Sequence, residues 1–511
     1  MYAKTHWPVV AVLGLLCAGL CGPVSAQDAA TRLVESAAAA MGGKERLQRV
    51  GNFTLTGFGQ RAYMDGGGNV TGDVNAPPKW QGVIDARRTF DLGQNRALNQ
   101  ERRSQLFPFA APFGINWSRT TVLQTGAELM DHPLPAILEA LKPGARLGPV
   151  TSENGVSVLQ FFTRDGTPVW LAVDPVSHLP AWTRRVVAHT NLGDVAVTVY
   201  FTGYVPFDGV TLPLGLLQRI DWRNQVTLMF QVDSYRLDLP QDQLPAFPAP
   251  APRVAAPAPA PVVTPLAKGV WDVRVGNNGG PVIEFADHLV IFEAGGSAAA
   301  TLARIDSANK LVAGKQVTAL IVSHHHFDHT AGLRAAVSRG LEVISHRGNE
   351  GILREMSERP ALVHPDDLGR NPQPFRFTPV DERLVLADRT QRLEILHVLG
   401  HTHMANGVFA YLPAARIMME GDFGDAEWTW HWWAGALTAN LKAYNIDPRL
   451  NVAVHGPAGG LSIAQTLANN QAQSEAAQKF CTEQRDKGVP VFGCPVQYDT
   501  AGPLRVAPTV N

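Results

Sequence analysis

Charge is scarce in this chain, and neither sign prevails. Only 17% of its 511 residues are charged, with 44 Lys and Arg against 45 Asp and Glu. A near-neutral balance leaves no footprint for nucleic acid or an anionic membrane surface, so neither is expected as a partner. Cysteine is scarcer still, at four residues. Cys17 and Cys21 fall in an N-terminal leader, and Cys481 and Cys494 lie far from the ligand motifs below, which argues against a catalytic thiol. Long apolar runs are missing too: the run at residues 9–20 is too short to span a bilayer comfortably. What remains is rich in glycine (47) and proline (37), a composition that suits a β-rich soluble protein rather than a disordered one. The length implies more than one domain, each able to bury a sizeable core.

The organisation reads in four parts. Residues 1–26 are predicted to be a secretory signal peptide: Lys4 is a positive start, an apolar run follows, and Val24-Ser25-Ala26 is a small-residue cleavage site. Leu20 before Cys21 argues against a lipoprotein. Export places the mature chain in the periplasm or outside the cell, with no membrane span left after signal removal. In that oxidising setting Cys481 and Cys494 are expected to pair as a disulfide, worth roughly 3 kcal/mol in the chain-entropy model. Residues 27–244 read as a β-rich antiparallel domain. The alternation of Val195, Val197, Val199 and Phe201 with Ala196, Thr198, Tyr200 and Thr202 is its clearest strand signal. It carries no ligand cluster, which leaves it to bind something apolar, to dimerise or to shield its neighbour. Residues 245–266 read as a spacer, because eight prolines in 245–265 favour extended polyproline II geometry. Residues 267–511 form the second domain.

That domain is organised around Ser323-His324-His325-His326-Phe327-Asp328-His329. A short apolar run, 317–322, reads as a buried strand before it, and a helix start follows. His324 and His326 can converge on one ion while Asp328 and His329 turn toward another. Imidazole with carboxylate suits zinc, manganese or iron, with zinc the default. Further ligand-type residues end later strand-like runs: His401 and His403 after 393–399, Asp422 after 417–419, and His455 after 452–454. Chemistry at strand ends is the habit of α/β folds. His346 also ends a strand but lies outside the pattern. His325 should point away from the ions, since its neighbours point in.

These motifs, with Gly400-His401-Thr402, Gly421-Asp422, His455-Gly456 and the opening hairpin 282–295, resemble the metallo-β-lactamase-fold hydrolase superfamily over about two-fifths of the chain. The resemblance implies an α+β fold of αββα type, a four-layer αβ/βα sandwich, preceded here by the β-rich antiparallel domain. It implies two zinc ions per chain, with manganese or iron as alternatives. One would be held by His324, His326 and His401, the other by Asp328, His329 and His455, with Asp422 bridging. A shared hydroxide would attack a carbonyl, and Asp328 would steer the proton as the catalytic carboxylate. Asp422 in the bridging position counts against a true β-lactamase, and His326 against a diiron redox site. Hydrolysis of an ester, lactone or amide in a small-molecule substrate is the favoured reading. A β-lactam hydrolase and a non-catalytic metal-stabilised binding protein are the alternatives. His403, Trp428, Trp430 and Trp432 are candidates for the surroundings of the site or the substrate pocket. The three tryptophans, with Trp433, could instead form a domain contact. The sequence leaves the oligomeric state open.

Overall fold

A computed structural model describes residues 26–64, 69–76, 78–103, 118–249, 259–276, 278–401, 403–424 and 435–488. The expected leader (apart from Ala26), Trp428, Trp430, Trp432 and Trp433, and Cys494 with its expected pairing all lie outside the described residues. No helix among the described residues is long and apolar enough to cross a membrane.

The N-terminal region is one eleven-stranded antiparallel sheet. Its first strand, Asn52–Tyr63, sits inside the sheet, between Lys79–Asp91 and the last strand, Val226–Leu237. The fourth and fifth strands, Ser118–Thr125 and Leu147–Glu153, are consecutive in sequence yet form the two edges. The segment joining them carries the helix Pro133–Ala140, which packs with the helix Ala26–Ala40 on the sheet's apolar face. The alternating strand Gly193–Phe207 serves two cores. Val199 and Phe201 lie under those helices, while Val195 and Val197 lie in the core of the second domain.

That second core decides how the two regions are joined. Leu192, Val195, Val197, Ile220 and Trp222 pack with Phe327, Ile352 and Met356. At roughly 1.5–3 kcal/mol per buried large apolar side chain, the gross gain is on the order of 10 kcal/mol. Polar contacts add direction. Arg359 donates to Leu192 O (3.1 Å), Asp194 O (2.9 Å) and the Asp221 carboxylate (2.9 Å). The Asp194 carboxylate accepts from three successive backbone N–H groups, Leu362, Val363 and His364. The regions are therefore packed together rather than held apart by a spacer. Part of the expected spacer is itself structured: Val262–Ala267 is an edge strand paired with Val270–Val275, a place where Pro265 is tolerated because an edge residue needs no second partner.

The C-terminal region is the expected four-layer sandwich. A seven-stranded and a six-stranded sheet bury a shared apolar layer, with Ile283, Phe292 and Ile321 on one side and Ile395, Val408 and Met419 on the other. Helices such as Ala298–Ala308 and Glu350–Glu358 cover the outer face of the first sheet, and Ala436–Tyr444 and Ile463–Asp486 that of the second.

One buried histidine ties stability to pH. His132 is 1% exposed, and its ring is packed at a tilt against Phe53 and Phe90. Tyr235 Oη donates to Pro213 O (2.7 Å), so the His132 Nε2–H donates to Tyr235 Oη (3.2 Å), and its Nδ1 accepts from Leu134 N–H (3.3 Å). Both positions are filled by the neutral ring, and burial, helped by Arg88, pushes its pKa down to about 3. The unfolded chain therefore takes up a proton near pH 6.5 that the folded chain refuses until about 3, and stability falls as pH drops through that window. Between pH 7 and 5 this residue should cost about 2 kcal/mol. Urea unfolding should show His132→Gln losing that much less than the parent over the same interval. Equal losses would refute the assignment.

Candidate metal centre

The strand Val317–Ile321 runs inside the first sheet, parallel to both neighbours. The chain leaves it at Val322, makes a tight loop and starts the short helix Phe327–Thr330. One turn of chain therefore delivers four donors to a single point. The strand Ile417–Glu420 leads to Asp422, and Leu450–Ala453 leads to His455. The left-handed backbone of Asp422 (φ 56°) aims its side chain inward. Gly421 must be glycine, because a Cβ there would lie 2.4 Å from Ser323 Oγ. Glu420 is buried and braces the turn, accepting from Phe423 N–H (2.9 Å) and Asn451 Nδ2 (3.0 Å). Burial holds its carboxyl above the ordinary range.

Two donor sets result. His324, His326, His403 and Asp422 form one; Asp328, His329, Asp422 and His455 form the other; within each set the donor atoms lie within 4.8 Å of one another. The inward atoms are close: His324 Nε2 to His326 Nδ1 is 2.9 Å, His403 Nε2 to Asp422 Oδ2 is 2.8 Å, and His329 Nε2 to His455 Nε2 is 3.2 Å. Asp422 Oδ2 also lies 3.2 Å from His329 Nε2, and Oδ1 lies 3.4 Å from His455 Nε2. Asp422 therefore belongs to both sets.

The outward nitrogens have partners of their own. His326 Nε2 donates to Asn69 O (3.0 Å), His329 Nδ1 reaches Glu293 Oε2 (3.3 Å), and His324 Nδ1 meets Ser323 Oγ (2.9 Å). A carbonyl or carboxylate partner fixes the proton on the outward nitrogen and turns a lone pair inward, which is how metal-binding histidines are oriented. Glu293 is itself held with φ 73°, and its other oxygen accepts from Ser323 N–H (2.8 Å). The donor set fits divalent cations: imidazole nitrogens and carboxylate oxygens converge within each set.

Charge follows the same geometry. Burial holds His324, His326 and His403 neutral, with pKa values below the ordinary range. Burial alone would raise Asp422, but His329 and His455 outweigh it and hold the carboxyl well down. His329 is the mirror case: burial lowers it, and Asp422, Asp328 and Glu293 raise it further than that. The centre opens on one side, where the Asp328 and His455 side chains are 29% and 20% exposed.

One expected ligand is displaced. His401 belongs to neither set; its ring packs 5.8 Å from Phe423. His403, expected only in the surroundings, is fully buried and points in. The reason lies in the loop backbone. Ala405 N–H donates to Val70 O (2.7 Å), and Asn406 Nδ2 donates to Thr71 Oγ1 (3.1 Å). These contacts pin the loop so that residue 403, not 401, faces Asp422. His325 points away, as expected, and is buried with the N-terminal residues Asn69, Trp222 and Arg223 around a cavity of ≈ 40 Å³. His346 accepts from Gly348 N–H (3.1 Å) and stacks on His397, apart from the centre. Sequence reasoning missed Asn69, Glu293 as a brace, and Glu420.

Two packed sheets between helices, with His and Asp donors gathered at strand ends, define a class of metal-binding αββα domains. Residues 282–424 match the family model described as metallo-beta-lactamase superfamily, and the C-terminal region of this chain has the metallo-beta-lactamase fold. Similar solved structures include a metallo-beta-lactamase from Pontibacter korlensis (19% identity, 42% of this chain, 100% of that one, TM-score 0.33). Others are FIM-1 from Pseudomonas aeruginosa in its mono-zinc form (16%, 43%, 98%, 0.34) and a metallo-beta-lactamase from Hirschia baltica (18%, 41%, 95%, 0.31). No curated protein matches the chain.

The displaced ligand is directly testable. His403→Ala should weaken binding of a divalent metal ion by more than the roughly 10–100-fold typical for loss of a partner around a metal ligand. His401→Ala should change it by a few-fold at most. Zinc titration against a chromophoric chelator reads both, and the reverse order would restore His401 as the ligand.

Proposed function

We propose that the chain is an exported hydrolase that uses two zinc ions to cleave an ester, lactone or amide bond in a small molecule. The observation that carries the reading is the pair of donor sets sharing Asp422. His324, His326, His403 and Asp422 would hold one ion, and Asp328, His329, His455 and Asp422 the other. Manganese or iron would suit the same donors. When bound, such ions supply Lewis-acid polarisation of a carbonyl and a lowered pKa for an attacking water.

The chain's own residues do the rest. Asp422 fixes the spacing of the two sets from one carboxylate. Ser323, Glu293 and the Asn69 carbonyl hold the rings, so little reorganisation is needed when substrate arrives. Substrate approaches from the exposed side at Asp328 and His455. Asp328, the more exposed of the two carboxylates, accepts the proton released on attack and passes it to the leaving group. Export rests on the leader-like residues 1–26, and the near-neutral charge gives no reason to invoke nucleic acid.

Purified mature protein loaded with zinc should bind two ions and turn over one class in a panel of p-nitrophenyl esters, lactones, a cephalosporin and a phosphodiester. Asp422→Ala should abolish turnover and reduce zinc content while leaving the secondary structure intact. A folded protein that binds no zinc, or an Asp422→Ala variant with full activity, would sink the proposal; cleavage of the cephalosporin alone would redirect it to β-lactams.

A further inference from the structure

We propose that the N-terminal domain completes the metal centre, by supplying the contacts that orient ligand residues from both donor sets. This inference rests on the hydrolase reading above. Five contacts carry it. Asn69 O accepts from His326 Nε2, the nitrogen opposite the one that faces His324. Val70 O accepts from Ala405 N–H and Thr71 Oγ1 from Asn406, fixing the loop that presents His403. On the other donor set, Asn191 Nδ2 donates to Phe327 O (2.8 Å) and to Thr330 Oγ1 (2.8 Å). Those two bonds clamp both ends of the helix that carries Asp328 and His329.

The supporting segments are themselves fixed. The Asn69 side chain ties its loop together, accepting from Lys79 N–H (3.1 Å) and donating to Ala76 O (3.3 Å). Arg223 donates to Gly72 O (3.0 Å) and Asp73 O (3.3 Å) while holding Glu355 of the second domain. Gly72 lies so close to the second domain that a Cβ would stand 2.7 Å from Ile352 Cγ2. Asn191 is 3% exposed. A histidine ligand needs an acceptor for its outward N–H, and removing such a partner typically costs 10–100-fold in metal affinity. For His326 that acceptor comes from another domain, 257 residues away in sequence. Asn69, Thr71 and Asn191 are thus positioning residues: they touch no substrate and act through the ligands.

The experiment is zinc and cobalt(II) titration of the full mature chain, with the cobalt visible spectrum as the readout of ligand geometry. Gly72→Val should push the loop off Ile352 and weaken the first site 10–100-fold, with an altered cobalt spectrum and the second site unchanged. Asn69→Ala, which only unties the loop, should do the same to a lesser degree and covers the case in which Gly72→Val does not fold. Asn191→Ala should weaken the second site instead. His364→Ala, which removes only the contact of its ring with Val186 O across the domains, should leave both affinities and the spectrum as they are. Parental affinities and spectra in Asn69→Ala and Asn191→Ala would overturn the inference, as would equal losses in His364→Ala. A parent that binds no metal fails the hydrolase reading instead, so the two failures are separable.

Discussion

Asp422 is a buried carboxylate whose ion-pair partners, among the described residues, are all histidines: His324, His329, His403 and His455. A buried charge must be compensated, and imidazole compensates only when it holds a proton or when a cation stands between the two. An arginine there would have satisfied the carboxylate permanently and closed the site. The choice of imidazole makes the centre dependent on what else binds, and most of the local structure follows from keeping that arrangement in place. Asp422 and Glu293 both adopt positive φ, at 56° and 73°. Such strain persists only where the surroundings over-determine it, and here the surroundings are identifiable.

Two buried arginines do much of that holding. Arg304 is fully buried and donates to four carbonyls, those of Val273, Gly280, Phe292 and Glu293. It thereby fixes the hairpin end from which Glu293 reaches His329. Arg274 bonds the Asp272 carboxylate and the carbonyls of Ala453, Val454 and Gly456, which flank His455. Each guanidinium spends its forked donors mostly on backbone carbonyls at the ends of neighbouring strands. The sheet ends can then carry sharp turns without orphaned carbonyls, and the donors reach the centre on a rigid support.

The legibility of this molecule follows sequence distance. His324, His326, Asp328 and His329 could be read because one turn of chain sets their relative positions. Asp422 and His455 could be read because each ends an apolar run. The choice between His401 and His403 could not. It depends on the loop backbone, fixed by Val70 and Thr71, and Thr71 is separated from its partner Asn406 by 335 residues. The alternation through 195–201 announced a strand, yet the same alternation hides that Val195 and Val199 belong to different cores. Strand Lys79–Asp91 was not legible, because Asp85, Arg87 and Arg88 interrupt its apolar residues and a bulge breaks its register near Val83. Val262–Ala267 was hidden among prolines.

The same distances explain why the two regions share one core. A domain joined only by a spacer would meet its neighbour through polar, separable contacts. Here the Trp222 ring packs at a tilt 5.8 Å from that of Phe327, inside the segment that carries the ligands, and its indole N–H donates to Glu355 (2.8 Å). Phe327 in turn lies between His326 and Asp328 in the chain. Apolar burial, the direction of an indole and the position of two ligand residues are therefore set by one contact. Loosening the domains would have to expose that aromatic pair and disturb the metal loop together, because Phe327 belongs to both the interface and the loop.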